Sequence, residues 1–273
     1  MPELPEVEVT RRGIAPPLIG RQISGVVQRC TRLRYPLPED LPQLLTGRTL
    51  RDVGRRGKYL LLDFGNGTLL IHLGMSGSLR ILPCGTVPQK HDHLDLEFSG
   101  TLLRLRDPRR FGAVLWIPAD VDISMHPLLK PLGIEPLSEA FTAQWLFSAT
   151  RGRDLAIKPL LMDSHLMVGI GNIYASESLF RSGIDPRTPA GKISLPRHMR
   201  LVAEIRETLR DAIAAGGSSL RDFIHSDGSS GYFQQQYFVY GRDGEACRIC
   251  GKAIRSLRQG QRTTFFCGHC QRR

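Results

Sequence analysis

Leu4, Val7, Arg11, Ile14 and Leu18 recur at helical spacing, so the first twenty residues predict a helix that Gly20 can stop. The pair Pro16-Pro17 should kink that helix or end it early, because proline brings no N–H to the interior ladder. From Gln22 to Ile117 the period shortens to that of strands. Lys58 to Phe64 and Thr68 to Leu73 flank Gly65-Asn66-Gly67, while Leu94 to Phe98 and Thr101 to Leu105 flank Ser99-Gly100, which predicts two hairpins. Short strands at this spacing predict a two-sheet sandwich and not alternating βαβ units. Near Pro131 to Pro136 the pattern turns helical, with Ser138 placed as an N-cap. Two more helices flank glycine-punctuated turns around Gly169 and Gly171, the second running through Phe180 to a stop at Gly183. Leu201, Ile205, Leu209 and Ile213 then repeat every four residues between Ser194 and Gly216-Gly217, the signature of a packing helix. Ser226 to Phe233 is too rich in glycine and polar residues for regular structure and reads as a loop. The expectation is an α+β chain in three parts: 1–133 an N-terminal two-sheet β-sandwich with flanking helices, 134–238 a helical domain, and 239–273 a metal-bound β-hairpin.

The 273 residues are enough for more than one core, and 41% apolar content is that of a globular protein. Lys and Arg outnumber Asp and Glu by 37 to 26, a net +11 that favours a polyanionic partner. No apolar run is long enough to span a membrane and no charged-then-apolar leader precedes the first helix, so the expectation is a cytoplasmic protein without a membrane partner. Four of the six cysteines form two close pairs, Cys247-x2-Cys250 and Cys267-x2-Cys270, sixteen residues apart, and only Cys30 and Cys84 lie elsewhere. This is zinc-ribbon spacing rather than a disulfide framework. Four thiolates fill a tetrahedral ion and leave no position for water, so one structural zinc is expected and the chemistry belongs elsewhere. From Arg242 to Arg273 there are eight basic residues and two acidic ones, which suits contact with phosphate; a protein-binding ribbon is the alternative. No GxGxxG occurs, and no organic cofactor is expected.

The start of the chain carries candidate chemistry. With Met1 removed, Pro2 would present a secondary amine able to attack an electrophilic carbon and form an iminium ion. A terminal amine titrates near 7.7 to 8.0 and needs less tuning than a lysine to be neutral at pH 7. Glu3 is adjacent, for proton transfer, and Glu6 lies one helical turn on. The plain alternative is that acidic residues are common in a helix's first turn. Further along, Lys58 heads an apolar strand, Met75 sits in the glycine-flanked turn 73–77, and Arg109 and Phe111 lie in the turn 107–112. Apolar side chains beside an arginine are what unstacking a duplex requires, although each of these residues also has an ordinary reading as a solvated or packed side chain. Gly169 and Gly171 allow a close backbone approach, and Asn172 would cap a helix whose N–H groups favour phosphate.

The opening string Met1-Pro2-Glu3-Leu4-Pro5-Glu6-Val7-Glu8 resembles the start of the bacterial formamidopyrimidine-DNA glycosylases, which excise oxidised purines. Motifs similar to that family's continue to the final cysteine pair. The resemblance implies that the helical domain holds a helix-two-turns-helix element and that Pro2, Glu3, Lys58 and Arg262 are catalytic. It implies DNA contact by His91, Arg109, Arg153, Met75, Phe111 and Asn172, with Asp154 interrupting a run that the family keeps more uniformly basic. The loop at 226–233 corresponds to one that closes over a flipped lesion. The implied partner is duplex DNA containing oxidised purines, bound by a monomer in the cytoplasm near the nucleoid. The implied reaction is base removal through a Pro2 Schiff base, then β,δ-elimination. Three rivals stay open: an endonuclease VIII-like enzyme for oxidised pyrimidines, against which Leu4 and the Arg109/Phe111 pair argue; a non-catalytic zinc-ribbon DNA-binding relative; and an unrelated N-terminal-proline enzyme acting on a small carbonyl.

Overall fold

The computed structural model describes residues 2–218 and 232–273, so 226–231 of the expected loop lie outside the described residues. The chain divides into two compact units, one made of Met1–Lys130 with Ala215–Gln234, the other of Pro131–Ala214 with Gln235–Arg273.

The first unit opens with helix α1 (Leu4–Leu18), which buries Leu4, Val7, Ile14 and Leu18. Pro16 and Pro17 lie inside it, so of the two expected effects, a kink or an early end, the early end does not occur. Both prolines lie on its exposed face in the last turn, and the Ile19 N–H closes the helix onto Ala15 O at 2.9 Å. After β1 (Ile23–Gln28) and the short α2 (Leu41–Leu45) come β2 (Asp52–Arg56), β3 (Tyr59–Asp63), β4 (Gly67–His72), β5 (Ser78–Pro83), β6 (Asp92–Phe98), β7 (Thr101–Arg106) and β8 (Ala113–Pro118). They form two antiparallel sheets of four, ordered β1-β6-β7-β5 and β2-β3-β4-β8, so the expected two-sheet architecture holds. Alternation drives it. Leu60 and Leu62 on β3 face the same core as Leu69 and Ile71 on β4, joined by Leu94, Leu96, Leu103 and Leu105 from the other sheet. Each such side chain contributes about 1.5–3 kcal/mol on burial.

Register decides which turns share an end. Tyr59 pairs with His72 and His72 with Ala113, so the β2–β3 turn, the exit of β4 and the entry of β8 lie at one end of their sheet. In the other sheet Arg106 pairs with both Ser78 and Asp92. The two crossings between sheets, 73–77 and 107–112, therefore leave from one end. Lys58 sits in the two-residue turn between β2 and β3 and not in the strand itself, with Gly57 at φ +56.

Two ion networks, each centred on a buried carboxylate, fix the outer elements. Asp95 takes Arg104 at 2.7 Å and Arg29 at 2.6 Å; burial alone would raise its carboxyl, but those guanidiniums hold it below the usual carboxylate range. Glu8 on α1 takes Arg11 and Arg12 at 2.8 Å and Arg55 of β2 at 3.1 Å, which fastens the helix to the sheet.

The second unit holds α3 (Ala143–Thr150), α4 (Ile157–Leu161), α5 (Asn172–Arg181), α6 (Leu195–Ala214) and the hairpin β9 (Arg255–Gln259) and β10 (Arg262–Phe266). Leu201, Ile205, Leu209 and Ile213 form the buried stripe of α6, as their spacing predicts. Ser138 does not cap the first helix. Its hydroxyl donates back to Glu135 O, and Thr142 is the N-cap, accepting the Trp145 N–H at 3.0 Å.

Burial would raise the Glu8 carboxyl, but Arg11, Arg12 and Arg55 hold it down to about 2 from an ordinary 4.5. A depressed carboxylate stabilises the fold above its unfolded value and ceases to do so as pH falls through its folded value. Two of the three arginines reach solvent, so Glu8→Gln should cost about 1–2 kcal/mol at pH 7 in urea unfolding. The gap between variant and parent should close as pH falls from 4.5 towards about 2; a gap that is the same at pH 7 and pH 3 contradicts this account of the helix.

Candidate functional site

Glu3 is the N-cap of α1 and Pro2 precedes it, both buried at the positive end of the helix dipole, where a second positive charge is disfavoured. The Glu3 side chain accepts the backbone N–H of Glu6, and Glu6 Oε2 accepts the backbone N–H of Glu3 at 2.8 Å, a reciprocal capping box. Glu6 Oε1 accepts the Ser218 N–H at 2.8 Å. Gly217, at φ +77, lies so close that an added Cβ would sit 3.1 Å from that oxygen. The first residues of the chain are thereby fixed from two directions.

At the shared end of the sheets, His72 stands across the ladder from Tyr59, ring centroids 4.8 Å apart, and its Nδ1 accepts the Gly74 N–H at 3.0 Å. Burial, then the charges of Lys58 and Arg34, push its pKa down to about 4, so it is neutral at pH 7. Sequence reasoning passed over His72; a histidine ending an apolar strand just before a glycine turn was the available signal. Met75 is half-buried and Phe111 is 47% exposed, with the Arg109 guanidinium 4.9 Å from the Phe111 ring centroid. Neither apolar residue is a core residue. His91 has φ +76, and burial, then Lys90, His93, Arg106 and Arg110, lower its pKa. Lys58, Met75, His91, Arg109 and Phe111 thus belong to turns at the end that the register defines.

In the second unit Gly171 is the N-cap of α5 and Asn172 its first helical residue, so the expected capping role of Asn172 is corrected. Its amide is used otherwise: Oδ1 accepts from Lys158 Nζ and Nδ2 donates to Thr263 O at 3.0 Å. Lys158, 1% exposed, also donates to Thr264 Oγ1 at 2.8 Å, so one buried lysine joins α4, the start of α5 and β10. Its role went unread in the sequence because its partner Thr264 is 106 residues away. Arg262 is exposed at the head of β10 and, with Lys158, Pro159, Met162 and Gln259, lines a cavity of about 180 Å³. Arg153 lies in the exposed loop after α3, where its carbonyl accepts the Gly191 N–H at 2.9 Å.

Cys247, Cys250, Cys267 and Cys270 bring their sulfurs within 4.8 Å of one another, with pairs at 3.9 Å and 3.5 Å. Zinc bound at about 2.3 Å in a tetrahedron spaces its sulfurs by roughly 3.8 Å. Burial and the neighbouring sulfurs push the Cys270 thiol up, a crowding that a shared cation relieves. The residues fit one structural zinc. The nearby core is small: Phe180, Val239, Cys247, Ile254 and Cys267. Buried Glu177 secures the approach to it by accepting the backbone N–H groups of Phe238, Val239 and Tyr240 at 2.8 to 3.0 Å.

Three family models match the chain: the formamidopyrimidine-DNA glycosylase N-terminal domain over residues 1–114, the formamidopyrimidine-DNA glycosylase H2TH domain over 132–224, and a zinc finger found in FPG and IleRS over 244–273. The chain is 60% identical to the formamidopyrimidine-DNA glycosylase of Herminiimonas arsenicoxydans and 55% to that of Pseudomonas aeruginosa, covering all of both partners in each comparison. Among solved structures, it is similar to Lactococcus lactis Fpg in complex with abasic-site DNA, with a TM-score of 0.90 and 34% identity over 99% of this chain and 100% of that one. It is also similar to the MutM (Fpg) protein of Thermus thermophilus, with a TM-score of 0.87 and 39% identity over 99% and 98%.

Elemental analysis of the purified protein should find one zinc per chain. Cys267→Ser, which removes a buried ligand, should lose the metal and, in hydrogen exchange, the protection of residues 255–266. Full zinc content in that variant would mean that the four cysteines are not the site.

Proposed function

The chain belongs to the formamidopyrimidine-DNA glycosylase family, and from that premise we propose that Pro2 is the nucleophile with which it excises oxidised purines from duplex DNA. It is a DNA glycosylase of base excision repair with lyase activity at abasic sites. The observation that carries the assignment of Pro2 and Glu3 is their burial at the head of α1, inside the Glu3–Glu6 capping box.

On this reading the Pro2 nitrogen bonds to sugar C1′, the bond from C1′ to the base breaks, and the base leaves with the electron pair and a proton. Glu3 protonates the ring oxygen as the sugar opens to an iminium ion. The iminium acidifies the C2′ hydrogen. Its loss expels the 3′ phosphate, a second elimination expels the 5′ phosphate, and Lys58 and Arg262 serve as proton donors for these steps. Met75 and Phe111 enter the stack, Arg109 faces the orphaned base, and His91, Asn172 and Arg153 contact the backbone. The roles divide among residues 1–133 for most of the chemistry, 134–238 for the helix-two-turns-helix contact and 239–273 for the zinc finger, which supplies Arg262 and whose eight basic residues against two acidic ones suit phosphate. The protein acts as a monomer in the cytoplasm, at the nucleoid.

Borohydride reduction on a duplex with 8-oxoguanine opposite cytosine should trap a covalent adduct on a Met-free Pro2. Pro2→Gly and retention of Met1 should both abolish it, and Glu3→Gln should slow base release roughly a hundredfold. An oxidised-pyrimidine duplex run in parallel separates this activity from the endonuclease VIII type. Binding of both duplexes without any adduct would sink the amine mechanism. Separately, Arg262→Ala should leave base release within about threefold while product accumulates after the first elimination. Loss of both steps together in gel analysis would show that Arg262 is needed for binding rather than for the second elimination.

A further inference from the structure

The two crossings that carry Met75, Arg109 and Phe111 are joined by one buried carboxylate. Asp107 opens the second crossing and is 0% exposed. Its Oδ1 accepts the Ser76 hydroxyl at 2.7 Å and its Oδ2 accepts the Gly112 N–H at 2.8 Å. Ser76 directly follows Met75, and its oxygen accepts the Arg109 backbone N–H at 3.1 Å. One acid therefore closes the 107–112 turn and reaches across to the 73–77 turn, and the hydroxyl between them holds the backbone of the arginine.

The main chain of Asp107 is fixed as well. Its N–H donates to His91 O at 3.0 Å, and its carbonyl meets His93 Nε2 at 2.9 Å. The β6–β7 register slips between Asp92 and Leu94, so His93 occupies a bulge, and bulges re-aim side chains. The crossings also meet backbone to backbone: a Cβ on Gly74 would lie 2.4 Å from the Phe111 carbonyl carbon. Arg110, between Arg109 and Phe111, has φ +55, a conformation that persists where the surroundings hold it.

The turn alone does not account for this arrangement. The bond from Asp107 to Gly112 closes 107–112 without help from Ser76. The bond to Ser76 serves the relation between the two crossings. A fully buried carboxylate with no ion pair among the described residues is offset by its hydrogen bonds alone. Its effect is to order two loops before any ligand arrives, which lowers the ordering cost at binding.

We propose that Asp107, acting through Ser76, is the positioning residue that sets Met75 and the Arg109–Phe111 pair as one rigid wedge, so that both crossings enter the duplex together. This rests on the reading of those three side chains as the intercalating group.

The test uses the full-length, zinc-loaded protein and a duplex with 8-oxoguanine opposite cytosine and 2-aminopurine beside the lesion, whose stopped-flow fluorescence reports unstacking. Ser76→Ala should slow the unstacking phase and lower kcat/KM on this duplex about tenfold. On a single-stranded oligonucleotide with a preformed abasic site, where no stack has to open, its loss should be under about twofold. Ser76→Thr, which keeps the hydroxyl, should recover most of the unstacking rate, and Asp107→Asn, which keeps one acceptor, should fall between. If Phe111→Ala and Met75→Ala lose the unstacking phase while Ser76→Ala and Asp107→Asn keep it at the parent rate, the positioning role is wrong and the wedge reading stands. Equal losses by Ser76→Ala on both substrates would likewise reduce the contact to general structure. If Phe111→Ala and Met75→Ala themselves unstack the duplex normally, the wedge reading fails and the proposal with it.

Discussion

The Glu6 carboxylate ties the head of α1 to a distant part of the chain, and the placing of the first residues depends on it. Its two oxygens take two backbone N–H groups at 2.8 Å, one from Glu3 and one from Ser218, which is 212 residues away in sequence. Because Glu3 returns a bond to the Glu6 N–H, the first turn of α1 is closed on itself before the helix ladder begins. The rest of α1 conveys the rigidity of the sandwich to that turn. Leu4, Val7, Ile14 and Leu18 are buried, and Glu8 is bonded to Arg55 on β2. Pro2, buried beside this turn, is set against a fixed frame, as the attack on one carbon atom proposed for it requires.

The same sandwich explains why so many candidate residues are turn residues. Strands alternate faces, so a side chain on a strand is committed either to the core or to the outer face. A group that has to enter another molecule does better at a strand end. Register sends the β2–β3 turn and both inter-sheet crossings to one end, and Lys58, Met75, Arg109 and Phe111 all sit there. Their exposure is compatible with order because the supporting bonds run beneath them through His72, Ser76 and Asp107.

The sequence made the local features legible and left the long-range ones obscure. The hairpins were readable because Asn-Gly and Ser-Gly sit between alternating apolar runs, and the zinc site because its ligands come in two tight pairs. Pro16-Pro17 was only partly informative, because both prolines fall in the exposed last turn, where the helix has one residue left to run. Asn172 misled for a different reason. Its amide could satisfy a helix end or a distant lysine, and Lys158 with Thr263 won the competition. Lys158 gave no local signal, and His72 only the weak one of its place before a glycine turn, since each acquires its partners or its charge state through folding. The chain start was ambiguous as chemistry, because a capping box and a catalytic acid use the same glutamate.

The metal follows from what the hairpin has to display. Arg255, Arg258 and Arg262 on β9 and β10 are exposed, and the strands bury little beyond Thr264 and Phe266. A two-stranded hairpin is marginal in water even with a good apolar face. One that presents arginines on both strands has given up much of the surface it could have buried. Its tie to α4 and α5 through Lys158 and Thr264 is one constraint, and four thiolates on one ion supply further cohesion without occupying the exposed face. Seen this way, the zinc and the basic composition of residues 242–273 are consequences of one demand: a short segment must keep its cations in solvent and still have a fixed shape.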